Sequence, residues 1–212
     1  MIITLVTLLW IVSVFLKNVS IVDIFWGFGF VTTAVFYFLR NENYDARNIL
    51  VLILTSVWGL RLSIYLAWRN LGKGEDFRYQ QFRRKYGADR YWWISYFQVF
   101  ILQGILMWLI SAPLLGSIFS SRSNFPGIFD FVGLILWIIG FVFEAGGDFQ
   151  LAAFKKNPTN KGKILDRGFW KYTRHPNYFG DSSVWWGFAC FSIAAGHYIN
   201  VLGSILMTLL II

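Results

Sequence analysis

Residues 128–151 read IFDFVGLILWIIGFVFEAGGDFQL. A run of that length is enough for a helix to cross a hydrocarbon core, which takes about 20 mainly apolar residues. Taken as a membrane span, it decides the fold, because the same pattern recurs along the chain. Working outward, the apolar runs predict spans at about 2–16, 21–39, 48–68, 94–119, 128–151, 182–196 and 198–212. The expectation is an all-α protein, a polytopic transmembrane helical bundle of six to seven helices, forming a single integral membrane domain over residues 1–212.

Composition agrees. Hydrophobic residues make up 57% of the chain and aromatic residues 20%, and only 14% are charged, against roughly 25% in a soluble domain. The formal charge of +8 would point to nucleic acid in a soluble protein. Here the cations lie in loops beside apolar segments, so topology accounts for them and no nucleic-acid partner is expected. A single cysteine, Cys190, excludes an intramolecular disulfide, and no metal site is expected. Residues 2–16 follow no basic region and precede no small-residue cleavage site, so they read as a short first span instead of a signal peptide.

Long basic segments lie at about 69–93 and 154–180. Placing alternate loops on alternate sides puts fifteen of the nineteen Lys and Arg residues on one face. Arg40, Arg47 and Arg122 fall on the other, and Arg61 falls inside a span. The tendency of positive loops to stay inside makes the fifteen-residue face cytoplasmic, with the amino terminus outside and the carboxyl terminus inside.

Five charges fall in or beside the spans: Asp23, Arg61, Glu144, Asp148 and Asp181. An unpaired charge at the centre of a membrane helix costs ~2.5–3.5 kcal/mol by the milder scales, so these groups should face one another or a wet cavity. Glu144 and Asp148, four residues apart, share one helix face. Together they either attract donors or cations from a ligand, or one of them holds a proton; a structural network with Arg61 or the basic loops is the alternative. Glu75 and Asp76, in a segment rich in glycine and aromatics (Gly72 to Tyr79), can pair with neighbouring cations to order that loop. Asn18-Val19-Ser20 matches a glycosylation acceptor by chance, since it lies on the expected cytoplasmic side.

Beyond Asp148-Phe149-Gln150-Leu151, the chain runs Lys163-Ile164-Leu165-Asp166-Arg167-Gly168-Phe169-Trp170-Lys171-Tyr172-Thr173-Arg174-His175-Pro176-Asn177-Tyr178-Phe179-Gly180-Asp181. This resembles the signature of the steroid 5α-reductase superfamily, especially its bacterial branch of domains of unknown function. Ser20 to Gly27, Trp58 to Ser63 and Gly72 to Gln80 resemble the same branch, so the similarity spans nearly the whole chain. The resemblance implies a helical membrane enzyme, with NADPH entering from the cytoplasm and a lipid-like substrate from the bilayer. It carries the cofactor-binding pattern onto Glu144, Asp148, Lys163, Tyr172, Arg174, His175, Asn177, Tyr178 and Asp181. Glu144 departs from the asparagine of mammalian members. The implied reaction is reduction of a carbon–carbon double bond in an enone lipid (steroid, polyprenyl or acyl), with Asp23 and Tyr65 as candidate donors to the carbonyl oxygen and Arg61 as a competitor for Tyr65.

These residue types suit that chemistry. Carboxylates accept from ribose hydroxyls, Lys and Arg neutralise phosphates, and a helix beginning near Pro176 presents free N–H groups to an anion. Asn177 offers both a donor and an acceptor for a carboxamide. Arg174-His175-Pro176-x-Tyr178-x-Gly180 also resembles the isoprenylcysteine carboxyl methyltransferase and phospholipid methyltransferase families, which implies S-adenosylmethionine-dependent methyl transfer as the alternative. A non-catalytic lipid-binding protein is the third reading. Reductase relatives continue past the last span into a basic, aromatic tail that closes over the cofactor, whereas this sequence stops at Leu209-Leu210-Ile211-Ile212; either it is a fragment, or part of the cofactor clamp is lost and weak or no dinucleotide binding is expected.

Overall fold

The computed structural model describes residues 1–119 and 125–211. Arg122 and Ile212, which the sequence reading placed in an outer loop and in the last span, lie outside the described residues. Among those residues the chain is helical, with no strand. The helices are α1 (Ile2–Leu16), α2 (Ile21–Arg40), α3 (Ala46–Asn70), α4 (Phe77–Tyr86), α5 (Ala88–Ser95), α6 (Leu102–Ile110), α7 (Ala112–Ile118), α8 (Ile128–Lys156), α9 (Pro176–Ala194) and α10 (Leu202–Ile211). A wider π-helical segment, Tyr96–Ile101, joins α5 to α6, so that Ala88–Ile110 runs as one 23-residue helix. Among the described residues, four helices are long and apolar enough to cross a membrane: α2, α3, Ala88–Ile110 and α8. Shorter apolar helices accompany them at Ile2–Leu16 and Tyr198–Ile211. The chain therefore has the all-α, membrane-spanning character its sequence predicts.

Two expected boundaries move. The apolar run 94–119 is not one span: it breaks at Ser111 into α6 and α7. Pro113 is the reason, because it lacks an N–H and its ring would collide with the Leu109 carbonyl if the helix continued. In the first turn of a new helix the missing N–H costs nothing. Similarly, the expected span 182–196 is only part of α9, which starts at Pro176 as the Pro176-Asn177 sequence leads one to expect, with the proline again in the first turn. The basic segment 69–93 contains α4 and the first turns of α5.

The chain forms two compact units. The first comprises Met1–Glu42 and Leu52–Ser111. Within it α2 and α3 touch backbone to backbone: a Cβ added to Gly27 would lie 2.3 Å from the Gly59 carbonyl oxygen. Helix α1 packs on the Tyr96–Ile101 segment and α6, where Val6 fills the space left by Gly104. The Trp10 indole donates to the Trp92 carbonyl at 2.7 Å, and the Thr7 and Tyr96 hydroxyls meet at 3.0 Å.

The second unit comprises Asn43–Val51 and Ala112–Ile212. At its centre α9 is covered by α8, α7 and α10, which explains why its buried residues lie all round the helix. Helix α8 presents a seam instead: Asp130, Gly133, Trp137, Gly140, Glu144 and Gly147 are buried at alternating steps of three and four. The glycines of that seam let the two backbones touch. A Cβ on Gly140 would meet the Gly180 carbonyl oxygen at 2.5 Å, and one on Gly180 would meet the Glu144 amide nitrogen at 2.4 Å. At the start of α8, Asp130 accepts from Arg47 Nε at 2.8 Å and Nη2 at 2.9 Å, and also from the Gly127 amide at 2.8 Å.

Candidate functional site

Close contact of α8 and α9 fixes where their polar residues stand. Gly180 abuts Glu144, and Gly147 lies against Pro176 and the Asn177 amide, so the antiparallel helices set Glu144 and Asp148 beside Asn177 and Asp181. Each pair is four residues apart and occupies one face of its own helix. Four of the predicted cofactor-binding residues therefore come together. Glu144 and Asp148 are 3% and 7% exposed, so these carboxylates sit inside the fold and not on a solvated face. The Asn177 Oδ1 atom is buried and has no hydrogen-bond partner among the described residues. A buried acceptor without a donor carries an unrecovered desolvation cost of about 1–3 kcal/mol, which a ligand donor would relieve.

The loop after α8 is tied down by residues to which the sequence reading gave no role. Gln150 accepts from the Phe169 amide at 2.9 Å, and the Trp170 indole donates to the Gly147 carbonyl at 3.1 Å. The Phe169 ring lies over Gly146 and against Phe143, whose ring also meets Phe179 edge-on. The loop thus returns to the end of α8 from which it left. The sequence signal was present: aromatic residues and a glycine in a basic, polar segment need an apolar surface to cover.

The remaining predicted cofactor residues lie outward of these four, of which Glu144 and Asp148 are buried and Asn177 and Asp181 half-buried. Lys163, Arg174 and His175 are exposed, and Tyr172 is 79% exposed. The His175 and Tyr178 rings stack with centroids 5.0 Å apart. The second unit therefore has a buried to half-buried acidic and amide layer at the α8–α9 contact and a basic, aromatic rim at the start of α9. Beside the last turns of α8, a cavity of about 390 Å³ opens between Phe149, Gln150, Phe154, Asn157 and Arg167.

In the first unit, Asp23 near the start of α2 accepts from the Tyr79 hydroxyl at 2.8 Å and from Arg78 Nη2 at 2.8 Å. Burial, and then the charge of Asp23, push the Tyr79 phenol well above its ordinary value, so it holds its proton as a donor near neutral pH. Tyr65, the other predicted catalytic residue, lies on α3 with its ring under the Arg69 guanidinium, 5.7 Å from centroid to carbon. The phenol bonded to Asp23 is that of Tyr79.

The expected ordering of the Gly72 to Tyr79 loop is borne out. Glu75 binds Arg83 at 2.9 Å and accepts from the Val19 amide at 2.9 Å. Asp76 caps α4 through the Arg78 amide and pairs with the Arg78 guanidinium. Asn18, the chance glycosylation match, accepts from the Ser20 amide and hydroxyl and so closes the α1–α2 turn.

A profile of the family described as "Protein of unknown function (DUF1295)" matches residues 9–212. Among curated proteins the chain is similar to "Uncharacterized protein C594.04c" of Schizosaccharomyces pombe, with 28% identity over 211 residues, covering 88% of this chain and 61% of that protein. It is also similar to "Probable O-methyltransferase ustE" of Ustilaginoidea virens, with 44% identity over 46 residues, or 22% of this chain and 16% of that protein. The chain spans about three fifths of the length of the first of these relatives. No solved structure matches. With nearly the whole sequence inside the matched region, the chain belongs to the DUF1295 family.

Proposed function

We propose that the chain is a membrane-embedded reductase that uses NADPH to reduce a carbon–carbon double bond of a lipid-like enone. The observation that carries this reading is the buried, partnerless Asn177 Oδ1 beside Glu144, Asp148 and Asp181. An acceptor in that position suits the carboxamide of a nicotinamide, and the neighbouring carboxylates suit ribose hydroxyls. Lys163 and Arg174, exposed at the rim, suit the phosphates. On the charge asymmetry this rim faces the cytoplasm.

NADPH, when bound, supplies the hydride. The chain's own part is to bind, orient and exclude water. Asn177 fixes the orientation of the carboxamide, while Glu144 and Asp148 hold hydroxyls away from bulk water. Reduction of an enone also needs a donor on the carbonyl oxygen. Asp23 and Tyr65 are the groups proposed for that role; the Tyr79 hydroxyl is not, because its one proton is donated to Asp23. Binding of NADPH to purified Asn177→Ala and Asp148→Ala variants tests the assignment. Each should raise the dissociation constant by about three- to tenfold, the worth of one or two hydrogen bonds, with no loss of helicity. Unchanged affinity in both variants would remove the site.

A second reading, S-adenosylmethionine-dependent methyl transfer, draws on the 46-residue similarity to a protein named as a probable O-methyltransferase. On that reading the same α8–α9 layer would hold the amino acid and ribose portions of the methyl donor.

A further inference from the structure

The first unit holds a cavity of about 540 Å³ whose lining includes Ser13, Lys17, Arg83, Asp89, Tyr91 and Trp92. It lies at the ends of two apolar helices, since Lys17 terminates α1 and Ala88 begins the 23-residue helix. Taken as membrane helices, these ends place the cavity at the membrane–water interface, a depth that suits the nearby Trp10 and Trp92, whose rings stack with centroids 6.1 Å apart. Arg83 is committed to Glu75, while Lys17 has no ion pair among the described residues. Asp89 supplies a negative charge to the same lining. Tyr91 is 0% exposed, with its ring beneath the Arg83 guanidinium at 5.1 Å, and its hydroxyl has no hydrogen-bond partner among the described residues.

We propose that this cavity seats the headgroup of a phospholipid bearing both a phosphate and a primary ammonium, a phosphoethanolamine type. Lys17 and the Tyr91 hydroxyl take the phosphate, giving the hydroxyl the acceptor that the fold withholds. Asp89 takes the ammonium. The free positive and negative charges of the lining thus match a zwitterion better than a headgroup of net negative charge. Trp92 and the α1 end flank the glycerol region.

The test is thermal unfolding of the delipidated full chain in detergent, titrated separately with phosphatidylethanolamine, phosphatidylglycerol, phosphatidylcholine and inorganic phosphate. Saturable stabilisation by phosphatidylethanolamine is expected, with weaker effects of the other lipids and none of phosphate. Tyr91→Phe should unfold at the same or a higher temperature than the parent without lipid, because it removes a hydroxyl with no partner. It should also bind phosphatidylethanolamine about tenfold more weakly. Lys17→Gln should weaken binding similarly, and Asp89→Asn should shift preference toward phosphatidylglycerol. Equal stabilisation by all three lipids overturns the proposal, as does an equal effect of free phosphate. A lower lipid-free unfolding temperature for Tyr91→Phe also overturns it, by placing the hydroxyl's role inside the fold.

Discussion

A carboxylate inside a membrane protein persists only where donors reach it, and Asp130 meets that condition with three: two from Arg47 and one from the Gly127 amide. Arg47 and Asp130 are 0% and 3% exposed, so removing one leaves the other charged and buried. Asp130→Ala should cost about 3–5 kcal/mol in denaturant unfolding in detergent; a loss below about 1 kcal/mol would show that Arg47 is solvated. Asp76 shows the opposite balance. Burial works against its charge, but hydrogen bonds from the Arg78 guanidinium and amide outweigh it and hold the carboxyl below its ordinary value of 3.8. Its folded-state value is depressed, so its stabilisation is present above 3.8 and is lost as pH falls through the lower value. Protection factors of the α4 amides, taken relative to the unfolded-chain exchange rate at each pH, should therefore stay high at pH 5 and fall at more acidic pH in the parent. In Asp76→Ala, protection should be reduced already at pH 5; equal protection there would contradict the capping role.

Charged residues were legible in the sequence as problems needing partners, but the partners themselves were not. Asp23 is bound by Arg78 and Tyr79, more than fifty residues away, and periodicity carries no information about contacts between distant segments. Glu144 and Asp148 were legible as a pair because they share a helix face, whereas Asn177 and Asp181 joined them only through the family resemblance. Gln150, Phe169 and Trp170 escaped, since holding a loop against a helix end leaves no spacing pattern.

At the scale of elements, the α8–α9 contact organises the second unit. Gly180 lies so close to the Glu144 backbone that a methyl group must push the helices apart, because the obstacle is main chain. Gly180→Ala should lower stability by about 1–3 kcal/mol and weaken ligand binding at Asn177 and Asp148 in step. Loss of stability with unaltered binding would separate the glycine contact from the site. Hydropathy found α1, α2, α3 and α8 within a few residues because their ends are polar or charged. It merged α6 with α7 because Ser111-Ala112-Pro113 is as apolar as its surroundings, and the break there comes from the missing proline N–H. It began α9 late because the first turn of that helix is polar.

For the whole molecule, four helices long enough to span a bilayer and two strongly basic segments imply a definite sidedness. In a Cys190→Ser background, Lys163→Cys should react with an impermeant maleimide only when the cytoplasmic side is accessible; labelling from outside would invert the topology. The central claim, that the α8–α9 layer is built for a nicotinamide dinucleotide, is tested most directly by equilibrium binding of NADPH and S-adenosylmethionine, side by side, to the detergent-purified chain. The account predicts saturable NADPH binding that weakens in Asn177→Ala, with none for S-adenosylmethionine. Binding of S-adenosylmethionine alone, or of neither by a protein that carries any native sequence past Ile212, would contradict it.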